Sequence, residues 1–267
     1  MAHKVSFDLE RIKAKKGFIC DMDGVIYHGN KLLPGVKEFV EWLTAENKRF
    51  LFLTNSSERS PRELSQKLAR LGLTVSEDHF YTSAMATAAF LASQKPDGSA
   101  YVIGEPGLIN ALYDAGFSMN DINPDYVVVG ETSSYNWEKI EKATLLVNAG
   151  AKLIGANPDL SAPSERGIVP ATGSMVAPIA QASGKRAYFV GKPNPLMMRH
   201  AIRLLQVEVE DAMIIGDRMD TDIIAGIESE IDTTLVLSGV TTLDLIREFP
   251  YRPTYIMNGV CDFTAKE

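Results

Sequence analysis

The chain has 267 residues, 45% of them hydrophobic and 23% charged, an ordinary globular composition long enough for one large α/β domain or for a domain that carries a second. The formal net charge of −7 provides no basic field for nucleic acid, and no apolar run approaches the roughly 18 residues that a membrane span needs. Two cysteines far apart in sequence, Cys20 and Cys261, argue against a disulfide scaffold and predict a reducing, cytoplasmic location.

The first strong signal is a short apolar run that ends in two carboxylates. Residues 18–20 are apolar, Asp21 and Asp23 follow one residue apart, and Gly24 comes next. Such a run predicts a buried parallel strand, and open α/β sheets bind ligands past the carboxyl ends of their strands. On an extended strand the two carboxylates would project to one side, where their repulsion favours a bound cation, usually Mg²⁺. The alternative is a solvated Asp-x-Asp-Gly turn.

A second predicted strand ends in small hydrogen-bonding side chains. After a helix predicted over residues 36–46, the apolar residues 50–53 predict a strand that runs into Thr54, Asn55 and Ser56. Hydroxyl and amide donors of this kind could hold a phosphate. The same residue types are favoured helix caps, and another helix is predicted soon afterwards, so capping is the alternative.

The alternation of strands and helices starts over between residues 81 and 187. Strands are predicted over 100–104, 126–130 and 152–156, and helices over 84–93, 107–115 and 136–148. The Asp-x-Asp signature does not recur here, so we interpret this stretch as a second α/β domain inserted into the first. The predicted boundaries are residues 1–82 and 188–267 for the first domain and residues 83–187 for the insertion.

Within the insertion, residues 157–174 predict a long loop without secondary structure. Prolines stiffen this stretch by fixing backbone angles, and long loops in compact domains are often functional. We expect the loop to form a substrate-selecting rim, with Asn157, Asp159, Gly173 and Ser174 facing the site. The alternative is a proline-braced surface loop.

The first domain is predicted to resume with a short strand over residues 188–190 and to supply three more polar residues. Lys192 follows this strand and could neutralise a phosphate or the crowded carboxylates. Asp217 ends a later apolar strand in the way that Asp21 ends the first. Asp222 is predicted to be either a helix cap or a partner of another site residue.

Together these strand ends resemble the motifs of the haloacid dehalogenase-like (HAD) superfamily. The similar stretches are Asp21-Met-Asp23-Gly-Val for the first motif, Leu53-Thr54-Asn55 for the second, Gly-Lys192-Pro for the third and Gly216-Asp217-x4-Asp222 for the fourth. Within that superfamily the chain resembles the NagD-type phosphatases, whose cap domain is inserted between the second and third motifs. The resemblance covers residues 17–254 and implies an α/β fold, with a Rossmann-like parallel-sheet core domain and an inserted smaller α/β cap domain.

The resemblance also implies a mechanism of phosphoryl transfer. Asp21 would be the nucleophile that forms an aspartyl-phosphate, and Asp23 would act as general acid and then general base. Mg²⁺ would be held by Asp21, the backbone carbonyl of Asp23 and Asp217, while Asp222 would orient the metal site or Lys192. The substrate-binding residues would be Thr54, Asn55, Ser56 and Lys192, with Asn157 and Asp159 from the rim loop.

The leading hypothesis is a Mg²⁺-dependent phosphomonoesterase for small phosphorylated metabolites, with nucleoside 5′-monophosphates such as UMP as the substrate favoured by resemblance. A sugar-phosphate, pyridoxal-phosphate or phosphoglycolate phosphatase is the nearest alternative. A non-catalytic sensor of phosphate and metal is the alternative from another class, and a phosphomutase is a further alternative. The expected partner is a small phosphorylated metabolite, with no nucleic acid and no membrane, and the sequence leaves open whether the chain forms a homo-oligomer.

Overall fold

The chain folds into strands and helices that alternate along much of its length. The computed structural model describes residues 7–164 and 167–264. The strands are β1 Gly17–Asp21, β2 Tyr27–His28, β3 Lys31–Leu32, β4 Arg49–Thr54, β5 Phe80–Thr82, β6 Ser99–Ile103, β7 Ser118–Met119, β8 Tyr126–Val129, β9 Lys152–Gly155, β10 Ser161–Ser164, β11 Gly167–Pro170, β12 Tyr188–Phe189, β13 Ala212–Gly216, β14 Asp232–Val236 and β15 Tyr255–Met257. The helices are α1 Leu9–Ala14, α2 Val36–Ala45, α3 Pro61–Arg70, α4 Ser83–Gln94, α5 Pro106–Asp114, α6 Trp137–Asn148, α7 Thr172–Ser183, α8 Pro195–Leu205 and α9 Ile224–Glu228. The predicted α/β class is confirmed.

The first sheet has six strands in the order β15-β14-β13-β1-β4-β5. The strand β1 pairs in parallel with both β13 and β4, and β14 pairs in parallel with β13 and β15. All residues of β13 are buried, as are the first four of β1, which explains their continuous apolar sequences. Because parallel strands end at the same edge, β1, β4 and β13 deliver their last residues to one side of this sheet.

Aromatic packing anchors this sheet to the helix that follows its first strand. The ring of Phe18 in β1 meets that of Trp42 in α2 edge-on at 5.5 Å between centroids. The ring centroid of Phe39, one turn earlier in α2, lies 4.7 Å from that of Phe263. Such pairs contribute beyond their buried area, by about 0.5–1.5 kcal/mol each. They hold α2 against β1 and so fix the strand that ends in Asp21.

The second sheet has five strands in the order β12-β9-β8-β6-β7, and all of its neighbours are parallel. Its core is formed by buried aliphatic side chains from strands and helices, including Ile103, Val127, Leu153, Val176 and Ile179. The apolar sequences of β8 and β9 are therefore those of strands covered on both faces.

The chain forms two compact units, and their limits differ from the predicted domain boundaries by more than one residue in two places. The first unit contains residues 7–54, 65–81 and 192–264, and the second contains Asn55–Leu64 and Thr82–Gly191. Residues 55–64 belong to the second unit because their backbone bonds there, as in the 3.1 Å bond from the Gly107 N–H to the Glu58 carbonyl. The assignment of core and cap roles to these units stays a prediction.

The second difference concerns β12, which was expected to open the returning first domain. Tyr188 and Phe189 instead pair in parallel with Ile154 and Gly155 of β9, in the second sheet. The N–H of Val190 continues this pairing by donating to the carbonyl of Gly155. The first unit therefore resumes at residue 192 rather than 188.

The prediction of a structureless loop over residues 157–174 is wrong. Strands β10 and β11 pair in antiparallel fashion as a two-stranded ribbon, with Ser161 opposite Pro170. Both strands of this ribbon are edge strands. Prolines are tolerated in edge strands because the side without a neighbouring strand needs no N–H donor. Helix α7 then begins at Thr172, so Gly173 and Ser174 lie in its first turn.

Across the described ranges 7–164 and 167–264, none of the helices is both long and apolar enough to cross a membrane. The cytoplasmic location stays a prediction.

Candidate active site

Two predicted site residues lie at the ends of adjacent parallel strands. Asp21 is the last residue of β1, and Asp217 directly follows Gly216, the last residue of β13. Since β1 and β13 are neighbours, the fold brings together two carboxylates that are far apart in the sequence. This edge of the first sheet is where parallel α/β sheets bind their ligands.

Lys192 connects Asp21 to a third carboxylate. Its Nζ donates a 2.7 Å hydrogen bond to Oδ1 of Asp21 and a 2.6 Å hydrogen bond to Oδ1 of Asp222, and the lysine is only 2% exposed. Burial alone would lower the pKa of Lys192, but the charges of both aspartates outweigh it, so its pKa lies above the ordinary value. The ammonium is therefore held charged, as a phosphate-binding group must be.

Asp222 is the partner of Lys192 rather than a helix cap. It is fully buried and lies in a π-helical turn, Met219–Ile223, that precedes α9. Its Oδ2 accepts a 3.1 Å bond from the backbone N–H of Arg218. Helix α9 begins only at Ile224, and the residue before it makes no side-chain capping bond. Of the two predicted roles, capping is therefore wrong, and the partner role agrees with the contacts.

Two glycines make room for the Asp217 carboxylate. A Cβ atom on Gly24, whose φ is +79°, would lie 2.6 Å from Oδ2 of Asp217, and a Cβ on Gly239 would lie 2.0 Å from it. The same Oδ2 accepts a 2.7 Å hydrogen bond from the backbone N–H of Val240. The glycine of the Asp-x-Asp-Gly sequence thus has two functions, a left-handed turn and close approach to a second carboxylate.

Three carboxylates converge in this site. Asp21, Asp217 and Asp222 each offer an oxygen, and these oxygens lie within 4.8 Å of one another. Burial raises the pKa of Asp21 well above its ordinary value, with Asp222 and Asp217 adding to the shift and Lys192 opposing it. Burial and the charge of Asp222 raise the pKa of Asp217 to about 7. One ammonium against three carboxylates leaves an excess of negative charge, and hard oxygen ligands suit Mg²⁺. The donor set therefore fits the predicted metal.

Asp23 does not share the strand with Asp21, because β1 ends at Asp21. The carbonyl of Met22 accepts the N–H groups of Ile26 and Tyr27, so the chain turns immediately after the strand. The premise that both carboxylates lie on one extended strand is therefore wrong. The side chain of Asp23 is 49% exposed, and its Oδ1 lies 3.6 Å from Nδ1 of His28.

The electrostatic surroundings of Asp23 differ from those of Asp21. Burial raises the pKa of Asp23 above its ordinary value, and the charges of His28 and Lys67 oppose the shift. A carboxyl with a raised pKa can donate a proton nearer to neutral pH, which suits a general acid. Its predicted contribution to the metal, through the backbone carbonyl, stays a prediction.

The polar residues after β4 do not cap the next helix. Ser60 does so, because its backbone N–H donates to Oε2 of Glu63 at 2.8 Å while its Oγ accepts the N–H of Glu63 at 3.4 Å. This reciprocal pair is a capping box. The capping alternative for Thr54, Asn55 and Ser56 is therefore wrong, and their predicted role in substrate binding stays a prediction.

Asn157 and Asp159 lie with Asn55 in the second unit. The Nδ2 of Asn157 donates to the Asn55 carbonyl at 2.7 Å, and the Nδ2 of Asn55 donates to Oδ2 of Asp159 at 2.9 Å. Asn157 is fully buried, and its Oδ1 accepts the backbone N–H of Asp159. These contacts identify the pair as supports of Asn55, a role that was not predicted.

Sequence reasoning gave no role to Glu131 and Ser57, which complete this support. Glu131 follows β8 after a single glycine, and its carboxylate accepts hydrogen bonds from Ser57 and Asn157. The available signal was its position, because an acidic residue directly after an apolar strand is the same pattern that identified Asp21 and Asp217.

Comparison with known proteins agrees with the fold. A family model described as haloacid dehalogenase-like hydrolase matches residues 18–118, and a second, described as HAD-hydrolase-like, matches residues 189–263. These two stretches contain the β1, β4 and β13 strand ends.

Several named phosphatases are similar over nearly the whole chain. The dihydroxyacetone phosphatase of Corynebacterium glutamicum is 45% identical over 92% of this chain and 89% of its own length. The ribonucleotide monophosphatase NagD of Escherichia coli is 43% identical over 92% of this chain and 97% of its own, and the solved structure of E. coli NagD superimposes with a TM-score of 0.88 over 93% of this chain and 98% of that one. The acid sugar phosphatase of Staphylococcus saprophyticus is 39% identical over 91% of this chain and 95% of its own.

The parallel sheet, the buried aspartate–lysine cluster and these matches define a HAD-like hydrolase. Within that superfamily the chain belongs to the NagD-type phosphatases. The resemblance inferred from the motifs is thereby confirmed, and so is the prediction that the chain is a phosphatase.

Proposed function

We propose that the chain is a Mg²⁺-dependent phosphomonoesterase that acts through an aspartyl-phosphate on Asp21. The observation that supports this most strongly is the cluster in which buried Lys192 bonds both Asp21 and Asp222 while Asp217 lies beside them. It combines a carboxylate nucleophile, a fixed positive charge and a cation-binding group at the ligand edge of the sheet.

In the first step an oxygen of Asp21 attacks the substrate phosphorus, and the bond from phosphorus to the leaving oxygen breaks. Asp23 gives its proton to that oxygen, which leaves as an alcohol. In the second step Asp23 takes a proton from a water molecule, which attacks the phosphorus of the aspartyl-phosphate. Inorganic phosphate departs, and Asp21 and the proton on Asp23 are restored.

The other site residues bind and orient the substrate. Lys192, Thr54, Asn55 and Ser56 donate hydrogen bonds to the phosphoryl oxygens, and Asp222 orients Lys192. Mg²⁺, when bound by Asp21, Asp217 and the backbone carbonyl of Asp23, supplies positive charge that offsets the repulsion between nucleophile and phosphate. Asn157 and Asp159, which are predicted to contact the substrate as well, hold Asn55 through their hydrogen bonds with it.

Nucleoside 5′-monophosphates remain the first candidate substrates, supported by the name of the E. coli relative, a ribonucleotide monophosphatase. The second candidates are small sugar or triose phosphates, favoured by the names of the Corynebacterium and Staphylococcus relatives. These compounds share the phosphomonoester group and differ in the alcohol. Pyridoxal phosphate and phosphoglycolate are further alternatives that rest on the sequence alone.

Phosphate release from a panel of these compounds, with Mg²⁺ and with EDTA, tests the proposal. We expect release that depends on Mg²⁺ and is lost in Asp21→Asn, and the rank order of kcat/KM identifies the substrate class. A folded protein that binds Mg²⁺ and releases phosphate from none of the compounds would contradict it.

A further inference from the structure

The carboxylate of Glu131 bridges two parts of the second unit. Its Oε2 accepts the backbone N–H of Ser57 at 3.1 Å and the Ser57 hydroxyl at 2.5 Å. Its Oε1 accepts a 2.7 Å hydrogen bond from Nδ2 of Asn157. The backbone N–H of Glu131 in turn donates to the Ser57 hydroxyl at 3.2 Å. Both carboxylate oxygens and the Ser57 hydroxyl are therefore engaged in hydrogen bonds between Glu131, Ser57 and Asn157.

Asn157 transmits this constraint to Asn55. The amide group that donates to Glu131 also donates to the Asn55 carbonyl, and Oδ1 of Asn157 orders the backbone of Asp159. Asp159 then accepts the side-chain amide of Asn55. The hydroxyl of Ser83 is a second donor to the Asn55 carbonyl, at 2.5 Å. Backbone and side chain of Asn55 are thus both fixed by a network that begins at Glu131.

The network requires a carboxylate at residue 131. N–H groups approach both oxygens of Glu131, from Ser57 on one side and Asn157 on the other, so both must be acceptors. A glutamine offers one acceptor oxygen and one NH₂ donor. On one side of the side chain, this NH₂ group would therefore face another N–H donor. Substitution by glutamine therefore changes hydrogen bonding with little change in shape.

We infer that Glu131 is a positioning residue for the phosphoryl-binding segment, residues 55–57. The inference rests on the proposed function, in which Asn55 and Ser56 donate to the phosphoryl group. Glu131 acts through Ser57 and Asn157, and it sets the orientation of the Asn55 donors before the substrate arrives. Small displacements of such groups are costly, because a shift of about 1 Å reduces rates by up to about 10²-fold.

The test is steady-state kinetics of Glu131→Gln with p-nitrophenyl phosphate and Mg²⁺. We expect kcat/KM to fall about 10–100-fold, and the inhibition constant of inorganic phosphate to rise in parallel, because the phosphoryl donors are misplaced. Glu105→Gln is the matched control, since Oε1 of Glu105 accepts the Thr132 hydroxyl at 2.8 Å and the Ser133 N–H at 3.1 Å in the same unit. The control should keep kcat/KM within about twofold, as expected for a carboxylate without contact to Asn55.

A double-mutant cycle separates positioning from general destabilisation. In an Asn55→Ala background, Glu131→Gln should cost less than about threefold in kcat/KM, because the Asn55 side chain, whose orientation the network fixes, is gone. An unchanged kcat/KM in Glu131→Gln alone overturns the inference, and so does a loss of equal size in both backgrounds.

Amide hydrogen exchange distinguishes failure of the inference from failure of the proposed function. Exchange at residues 55–57 should accelerate in Glu131→Gln and remain as in the wild type in Glu105→Gln. A wild-type protein without phosphatase activity would refute the proposed function and, with it, a role of Glu131 in phosphoryl binding. Unchanged exchange in Glu131→Gln would refute the ordering role itself, whatever the activity.

Discussion

The Nζ atom of Lys192 lies 2.7 Å from Oδ1 of Asp21, in a contact that is almost completely shielded from water. The lysine proposed to bind the phosphoryl group is therefore already paired with the proposed nucleophile. Its charge opposes the rise that burial causes in the pKa of Asp21. The contact between Lys192 and Asp21 therefore affects both the stability of the fold and the ionisation of the proposed nucleophile.

Removal of the Lys192 charge should destabilise the fold. In Lys192→Met the carboxylates of Asp21 and Asp222 lose their ammonium partner, and breaking a buried ion pair on one side costs about 3–5 kcal/mol. Urea unfolding followed by circular dichroism gives the free energy of unfolding. Lys16→Met is the control, because Lys16 pairs with Asp211 at the surface and its loss should leave the midpoint near that of the wild type. Equal midpoints for Lys192→Met and the wild type would show that the pair contributes nothing to stability.

Substitution of Asp21 should reduce turnover more severely than substitution of Asp23. Asp21→Asn removes the nucleophile and should abolish turnover, whereas Asp23→Asn removes proton transfer and should reduce kcat by about 10²–10⁴-fold. Asp220→Asn is the control, since Asp220 is an exposed partner of Arg218, and it should retain wild-type kcat. Initial rates on the preferred substrate of the panel are sufficient. A full loss in Asp23→Asn with substantial activity in Asp21→Asn would reverse the assigned roles.

The metal-free protein should lose stability as the pH rises towards neutrality. The folded-state pKa of Asp217 is about 7, above its ordinary value of 3.8, so between these values the folded protein binds more protons than the unfolded chain. The free energy of unfolding therefore falls as pH increases through this range. Urea unfolding in EDTA at pH 5 and pH 7.5 measures the change in the free energy of unfolding. Asp217→Asn should show a smaller change between these two pH values. Mg²⁺ should restore stability more at pH 7.5, because binding requires ionised carboxylates. An identical pH dependence in the wild type and Asp217→Asn would contradict this origin.

Gly24→Ala should weaken the metal site as well as the backbone. The new Cβ would meet Oδ2 of Asp217 at 2.6 Å in a residue with φ of +79°, so Asp217 must move. Gly184→Ala is the matched control, because φ there is +65° and the added Cβ meets nothing within 4 Å. Both variants bear the cost of a left-handed alanine, about 1–3 kcal/mol, but only Gly24→Ala should raise the Mg²⁺ concentration for half-maximal activity. If the two variants needed the same Mg²⁺ concentration, Gly24 would be required for the left-handed turn and not for the approach of Asp217.

Residues at the ends of long apolar strands could be predicted from sequence, because local pattern and tertiary position agree there. Asp21 and Asp217 follow strands whose burial is evident from their apolar runs. The contact between Lys192 and Asp222 was only one of two alternatives, since it depends on the π-helical turn that places Asp222.

Elements with weak local patterns were assigned incorrectly. The strand β12 has two residues, and nothing in Tyr188 and Phe189 indicates which of two sheets they join. The ribbon of β10 and β11 contains prolines and serines, which argue locally against strands. Glu131 was missed for a related reason, because its function lies in contacts with Ser57 and Asn157 that are distant in sequence.

The central claim is that Asp21 carries the phosphoryl group during turnover, and mass spectrometry of quenched enzyme tests it most directly. With p-nitrophenyl phosphate, whose leaving group needs no proton, Asp23→Asn should accumulate the intermediate, because the water that hydrolyses it lacks its general base. After acid quench in the presence of substrate and Mg²⁺, the peptide that contains Asp21 should gain the mass of one phosphoryl group, and hydroxylamine should remove it. Fast phosphate release with an unmodified Asp21, or a phosphoryl group on another residue, would contradict the mechanism.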